Sequence, residues 1–251
     1  MPGASVEQTV LVAILFTAVA VLYSSVGHAG ASGYLAVMAL AGIEPHLMRP
    51  TALVLNILVA SIVVVRFWRA RQIDWRALLP LVAASVPLAF LGGLIVLPGA
   101  IYKPLVGVVL LVAAVRFFAT AARPADDQPA ARVPAAPAMA IGGGIGLVSG
   151  LTGTGGGIFL TPLLIWFGWA GARLAAGLSS GFILANSSAG LAGNLASVGT
   201  IPGALVVWLP AVAIGGLVGS ELGARRFSPP TIRRALAVVL VVAGLKLIFL
   251  G

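Results

Sequence analysis

The sequence predicts an all-helical protein that crosses a membrane several times. Hydrophobic residues make up 60% of the 251 residues, charged residues only 8%, and the mean hydropathy is +1.13. A water-soluble domain carries about 25% charged residues, so these few polar side chains cannot cover a soluble surface. Long apolar runs rich in Leu, Val, Ala and Gly, without alternation of polar and apolar residues, favour membrane helices over a β-barrel.

The chain divides into two similar halves. Similar residues recur in the second half at an offset of 130 positions, and one earlier pair recurs at 125. The pairs are Tyr34 with Phe159 at 125, and Asn56 with Asn186, Pro80 with Pro210 and Arg116 with Lys246 at 130. A five-residue difference in one loop explains the two offsets. We therefore expect membrane repeats at 1–121 and 138–251, joined by a polar linker at 122–137 into one integrated domain.

Each repeat is predicted to hold one interrupted apolar segment followed by three full crossings. A cluster of small residues breaks the first segment, and the piece after the break has about half the length that a span requires. The predicted segments are 10–43, 51–65, 78–97 and 105–118 in the first half, and 138–169, 175–195, 204–222 and 235–250 in the second.

Arginine placement predicts that the repeats lie upside down relative to each other. The loop after the Asn56 helix holds Arg66, Arg69, Arg71 and Arg76, whereas the equivalent loop at 196–203 has no charge. The next loop reverses the pattern, with one lysine at 98–103. Its counterpart holds Arg225, Arg226, Arg233 and Arg234. Cation-rich loops stay in the cytoplasm, so the linker is predicted to be cytoplasmic and both termini external.

Inverted repeats need an odd number of crossings each, so the interrupted segment must contribute an even number. A re-entrant hairpin or two short passes would satisfy this requirement. The alternative is a pair of parallel repeats with four crossings each, in which the charge asymmetry is incidental.

Composition also excludes several functional classes. The net charge of +9 does not indicate nucleic-acid binding, because the basic residues separate hydrophobic runs and serve membrane orientation. The chain has no cysteine and only six acidic residues, with no carboxylate pair for acid–base or metal chemistry. We therefore predict neither an enzyme nor a site for a cofactor or a metal ion. Packing glycines permit a homodimer without requiring one.

The two breaks are predicted to form a binding site. Unpaired backbone groups in hydrocarbon cost several kcal/mol each, so a broken helix persists only where protein or a hydrated cavity satisfies them. Half-helix N-termini favour negative charge, which predicts a small anion as the ligand. The predicted residues are Ser25, Gly27, His28 and Gly30 in the first break, and Thr152, Gly153, Thr154, Gly155 and Gly156 in the second. The alternative is that the glycines merely allow close helix packing.

Polar residues near the breaks complete the predicted site. His28 could donate to an anion or carry a coupling proton, or it could pair with a backbone carbonyl as a neutral ring. Asn56, Asn186 and Ser187 lie in apolar helices and must face the interior, either to join helices or to coordinate the ligand. Arg49 and Arg173 precede these helices, where a cation that snorkels to the headgroups is a commoner explanation than a residue of the anion pathway.

This pattern resembles the TauE/SafE-type sulfite exporter family of bacterial permeases. The resemblance rests on 149–157 (SGLTGTGGG) and 176–187 (AGLSSGFILANS) in the second repeat and on 50–56 (PTALVLN) in the first. It implies an inner-membrane permease that moves a small sulfur-containing anion, namely sulfite, thiosulfate or an organosulfonate. With inverted repeats we expect alternating access, with a proton or a sodium ion as the coupling partner. The alternatives are a passive anion channel and a non-transporting membrane scaffold subunit.

Overall fold

The computed structural model describes residues 6–120, 133–198, 202–225 and 230–250, and within these ranges the chain forms helices joined by short loops. Five helices belong to each predicted repeat. They are α1 (Val6–Ser24), α2 (Ala31–Leu40), α3 (Pro45–Arg69), α4 (Trp75–Leu94) and α5 (Gly99–Thr120), then α6 (Ala135–Thr152), α7 (Gly157–Trp166), α8 (Ala172–Ser197), α9 (Leu205–Arg225) and α10 (Pro230–Phe249).

Seven of the helices in the described residues are long and apolar enough to cross a membrane, namely α1, α3, α4, α5, α6, α8 and α9. By contrast, α2 and α7 have ten residues each, which spans only about 15 Å. Large apolar side chains such as Leu79, Val115 and Val206 are exposed on the outside of the bundle, as expected where lipid replaces water. The prediction of an all-helical, multi-pass membrane protein is confirmed.

Several helices begin earlier than their apolar runs. α3 begins at Pro45 rather than at 51, because a proline is well accommodated in the first helical turn. α4 begins at Trp75 rather than at 78, because the Asp74 carboxylate accepts hydrogen bonds from the backbone N–H groups of Arg76 and Ala77. α6 begins at Ala135 rather than at 138. Most of the predicted linker, together with Arg226, lies outside the described residues.

Each interrupted segment folds back as a helical hairpin. In the first repeat, Gln8 Nε2 near the start of α1 donates to the Ala41 carbonyl oxygen just beyond α2, at 3.3 Å. In the second repeat, the chain folds back between α6 and α7, since a Cβ built at Gly156, just before α7, would lie 2.7 Å from Ile145 Cγ2 of α6. A hairpin whose two ends lie on the same side of the membrane contributes an even number of crossings.

The helices of the two repeats pack in reciprocal pairs. α1 packs on α9 of the other repeat, and its counterpart α6 packs on α4. The equivalent helices α3 and α8 pack on each other, as do α5 and α10. The hairpins therefore lie against the opposite repeat, and the two breaks are brought towards the centre of the bundle.

The equivalent helices α3 and α8 run in opposite directions. Phe67, near the end of α3, lies beside the start of α8, with its Cδ1 atom 3.4 Å from a Cβ built at Gly177. Leu53, near the start of α3, lies beside the second half of α8, with Cδ2 3.7 Å from a Cβ built at Gly190. The same antiparallel order holds for α5 and α10.

Glycines allow α6 to approach α4 at backbone distance. A Cβ at Gly146 would lie 2.7 Å from Ser85 Cα and would overlap the Ser85 carbonyl oxygen, and one at Gly150 would overlap the Ala89 carbonyl oxygen. Small residues are the usual means of close helix contact in lipid, where no hydrophobic force drives helices together. This contact fixes the depth in the bundle of the second break, which begins at Gly153, three residues beyond Gly150.

We expect Gly146→Ala to lower the thermal unfolding temperature of the detergent-purified protein. The added methyl group must push α4 and α6 apart, and overpacking of this kind costs about 1–3 kcal/mol. Gly144→Ala is the matched control, because it lies on the same helix and its added Cβ would meet nothing within 4 Å. Equal unfolding temperatures for the two variants would contradict this account of the interface.

Candidate functional site

Asn56 links the two breaks near the middle of the bundle. Its Oδ1 atom accepts a hydrogen bond from the backbone N–H of Ala31, the first residue of α2, at 3.1 Å. Its Nδ2 atom donates to Ser187 Oγ on α8 at 2.9 Å. Both side chains are buried. One amide therefore satisfies a helix N-terminus of the first repeat and holds a hydroxyl group of the second.

Gly155 of the second break lies directly against this bridge. A Cβ at this position would overlap Asn56 Nδ2 and lie 2.9 Å from Ser187 Oγ. Three glycines of the break, Gly153, Gly155 and Gly156, have φ values of 85°, 72° and 79°. This left-handed backbone favours glycine because other residues place Cβ too close to their own backbone. The glycines thus give both the reversal of the chain and its contact with Asn56.

Two threonine hydroxyl groups lie beside the second break. Thr152 Oγ1 donates to the Val148 carbonyl oxygen at 2.7 Å and lies 3.0 Å from Thr154 Oγ1. The Thr152 carbonyl oxygen, freed by the end of α6, accepts from the phenol of Tyr102 at 3.1 Å. Thr154 itself is 5% exposed. The end of α6 is therefore capped by a side chain of α5.

His28 forms a separate polar cluster at the start of α7. Its Nε2 atom lies 3.0 Å from Thr161 Oγ1 and 3.5 Å from Arg116 Nη1, and its Nδ1 atom lies 3.1 Å from the Val26 carbonyl oxygen. Arg116 Nη1 also donates to the Ile158 carbonyl oxygen at 2.7 Å. A neutral ring with its hydrogen on Nδ1 satisfies these contacts, because Nε2 can then accept from either neighbour.

Asn186 differs from its counterpart Asn56. It is fully buried, and among the described residues neither atom of its amide has a hydrogen-bond partner. The Ser85 and Ser149 hydroxyl groups, on α4 and α6, are also buried without a partner in that part of the chain. These helices pack on α8 and on each other. An unsatisfied buried polar group costs about 1–3 kcal/mol, so the Asn186 amide, one residue before Ser187, is a candidate binding group.

Arg49 is buried rather than at the interface, which corrects the expectation of a snorkelling cation. The residue is 5% exposed, and its guanidinium group donates to the carbonyl oxygen of Ile95 at 2.8 Å, with longer contacts to the carbonyl oxygens of Gly92 and Leu151. When the Asn194 amide is oriented with its oxygen towards Arg49, that oxygen accepts hydrogen bonds from Arg49 Nε at 2.9 Å and from Arg49 Nη2 at 2.5 Å. Arg173, in contrast, is exposed.

The structure brings seven of the predicted site residues together at the bridge and the adjoining break. The bridge contains Asn56, Ser187 and Gly155, and the adjoining break contains Thr152, Gly153, Thr154 and Gly156. The cluster around His28 is separate, and Asn186 lies on α8 one residue before Ser187. Ser25 points its hydroxyl group at the Leu22 carbonyl oxygen, at 2.7 Å. Gly27 and Gly30 have φ values of 79° and 106° and shape the turn before α2.

Sequence reasoning missed the residues that cap the breaks from a distance. Tyr102 lies on the apolar helix α5, where nothing in its local sequence distinguishes it. Thr161 lies on the half-helix α7 and Asn194 on α8, and the sequence did not indicate that these side chains contact His28 and Arg49. Arg49 did carry a signal, because it precedes Asn56 by seven residues, which places both on one face of a helix. Its burial depends on where α4, α6 and α8 end.

Comparison with known proteins agrees with this architecture. The model of the family described as sulfite exporter TauE/SafE matches residues 11–247. A protein of Sinorhizobium fredii (strain NBRC 101917 / NGR234), named "Probable membrane transporter protein y4hK", is 39% identical over 246 residues, covering 96% of this chain and 99% of that protein. No solved structure matches the chain.

We expect Gly155→Ala to destabilise the purified protein more than Gly42→Ala does. Both positions have nearly the same positive φ, 72° and 71°, so the backbone strain of about 1–2 kcal/mol is shared. Only the alanine at 155 would also displace Asn56, whereas a Cβ at Gly42 would meet nothing within 4 Å. The measurement is thermal unfolding in detergent, and similar losses for the two variants would show that the bridge does not depend on this glycine.

Proposed function

The chain belongs to the sulfite exporter TauE/SafE family and is a membrane transporter of that type. We propose that it moves a small sulfur-containing anion across the bacterial inner membrane. Sulfite, thiosulfate and organosulfonates are the proposed substrates. The anion binds where the breaks meet, and access alternates between the two sides of the membrane.

The observation that carries this proposal is the meeting of the two breaks at Asn56. Gly155 of one hairpin lies against an amide that binds the first N–H group of the other hairpin's half-helix. N–H groups and hydroxyl groups are donors, and donors bind anions. The Asn186 amide, which has no hydrogen-bond partner among the described residues, supplies two further donor hydrogens one residue before Ser187. All of these side chains are buried, so the described arrangement corresponds to a closed state of the transporter.

The packing supports inverted repeats. Equivalent helices α3 and α8 run antiparallel, and each hairpin packs on the opposite repeat. The cation-rich end of α3 also lies on the same face as the end of α9, since Arg66 Nη2 donates to Glu221 Oε2 at 2.9 Å. Under the positive-inside rule this face is cytoplasmic, and both termini are then external.

His28 is proposed to couple the anion to protons. The ring lies near Gly157, with Cδ2 3.6 Å from a Cβ built there, so it adjoins the half-helix N-terminus of the second hairpin. The inside-negative potential opposes entry of an anion by about 2.3 kcal/mol per charge per 100 mV, so uptake needs an accompanying cation. Export of a monoanion needs none.

The transport test uses the purified full-length protein in liposomes with imposed pH gradients and voltages. We expect saturable movement of at least one of sulfite, thiosulfate, sulfoacetate and sulfate. Thr154→Val and Asn186→Leu should each lower the initial rate about tenfold or more, because each removes a donor worth about 1–3 kcal/mol. His28→Ala should remove the response to the pH gradient.

Thr17→Val is the matched control for Thr154→Val, since Thr17 bonds to the Ala13 and Ala211 carbonyl oxygens away from the breaks. Non-saturating current without counter-ion stoichiometry would indicate a channel instead. Absence of any flux in a correctly inserted protein, or normal flux in all three variants, would contradict the proposed function.

Single-cysteine labelling tests the inverted arrangement, and the natural absence of cysteine removes any background. Ala70→Cys and Gly203→Cys lie at exposed positions in equivalent loops, after α3 and after α8. A membrane-impermeant maleimide should label Gly203→Cys in intact cells and Ala70→Cys only after permeabilisation. Labelling of both from the same side would favour parallel repeats.

A further inference from the structure

Arg49 is a buried positive charge without a negative partner in the part of the chain that the structure describes. Its hydrogen bonds go to three backbone carbonyl oxygens and to one amide oxygen, all of them neutral. No carboxylate of the described residues contacts it. Glu44, the nearest acidic residue in the sequence, lies on the surface, where its Oε2 atom is 3.2 Å from His46 Nδ1. Buried charges are normally paired, because carbonyl dipoles repay only part of the cost of removing an ion from water.

The position of Arg49 relates it directly to the bridge. It precedes Asn56 by two helical turns on the same face of α3, a rise of about 10 Å. The second break follows this face, because Gly153 packs on Arg49 and Gly155 packs on Asn56. A Cβ at Gly153 would lie 3.2 Å from Arg49 Cγ. The second break therefore lies beside both residues, with Gly153 against the stem and backbone of Arg49 and Gly155 against the amide of Asn56.

We propose that Arg49 binds the anion during transport and is the charge that attracts it on the side where α4, α6 and α8 end. The inference deepens the proposed function and rests on it. In the closed arrangement, the carbonyl oxygens and Asn194 hold the guanidinium group ready. A bound oxyanion would take the place of some of these carbonyl and amide oxygens, so that the guanidinium group donates to negatively charged oxygens instead of neutral ones. Guanidinium suits this role because its fixed fork of N–H groups matches two oxygens of one oxyanion.

The experiment measures anion-induced thermal stabilisation of the purified full-length protein by sulfite, thiosulfate, sulfoacetate and sulfate, with chloride as the reference. We expect a saturable rise in the unfolding temperature of the wild type. In Arg49→Gln the apparent affinity should fall about 10- to 100-fold, since hydrogen bonds to charged groups contribute about 1.5–3 kcal/mol. Retention of wild-type affinity in Arg49→Gln would overturn the inference.

Two controls separate binding from structure. Asn194→Ala removes a neutral partner of Arg49, so it should lower the unfolding temperature while the anion still raises it. Arg66→Gln removes an equal charge from a partly exposed pair with Glu221 and should leave the anion affinity unchanged. If Arg49 has only a structural role, Arg49→Gln should lower the unfolding temperature but keep the anion-induced rise, as expected for Asn194→Ala.

Arg49→Lys decides the matter if Arg49→Gln does not fold. An ammonium group keeps the charge but cannot reproduce the fork, so the inference requires a weaker apparent affinity. Unchanged affinity in this variant would overturn it. A wild type that shows no anion-dependent shift also contradicts the inference. A shift without flux in liposomes contradicts only the proposed transport.

Discussion

Satisfying the backbone hydrogen bonds that two broken helices release in hydrocarbon is the constraint on which this structure depends. Water cannot reach these groups, so side chains from distant helices take its place. Asn56 accepts from the N–H of Ala31, and Tyr102 donates to the carbonyl oxygen of Thr152. Arg49 donates to carbonyl oxygens at the ends of α4 and α6. The breaks are therefore properties of the assembled bundle, because neither hairpin supplies these partners by itself.

The two repeats share only part of their polar side chains. At the offset of 130, Arg49 corresponds to Ser179, and at the offset of 125, His28 corresponds to Gly153. One side of the central bridge consequently holds Arg49, and the other holds His28 with Arg116. Packing requires only small residues at the equivalent contacts, so the repeats can keep one architecture while these side chains diverge. The result is a symmetric scaffold whose two ends differ in chemistry.

Helix content and the broken segments follow from composition and periodicity because lipid imposes length and apolarity on every span. The same reasoning misplaces helix starts, since Pro45 and the cap at Asp74 extend α3 and α4 beyond their apolar runs. Within the site, glycine clusters and isolated asparagines were visible because such residues are rare in hydrocarbon. Tyr102 and Thr161 were not, because one hydroxyl group on an apolar helix is unremarkable until its neighbour is known.

The sequence by itself determined that this chain lies in a membrane, that it is duplicated, and that each copy is interrupted by small residues. These properties are local, since they depend on the solvent that each segment must meet. Only the tertiary structure decided that Asn56 bonds to Ser187, 131 positions away, while Asn186 is left without a partner among the described residues. It also decided that Arg49 is buried, because burial depends on where three other helices end. Contacts between distant segments are set by packing, which no single helix encodes.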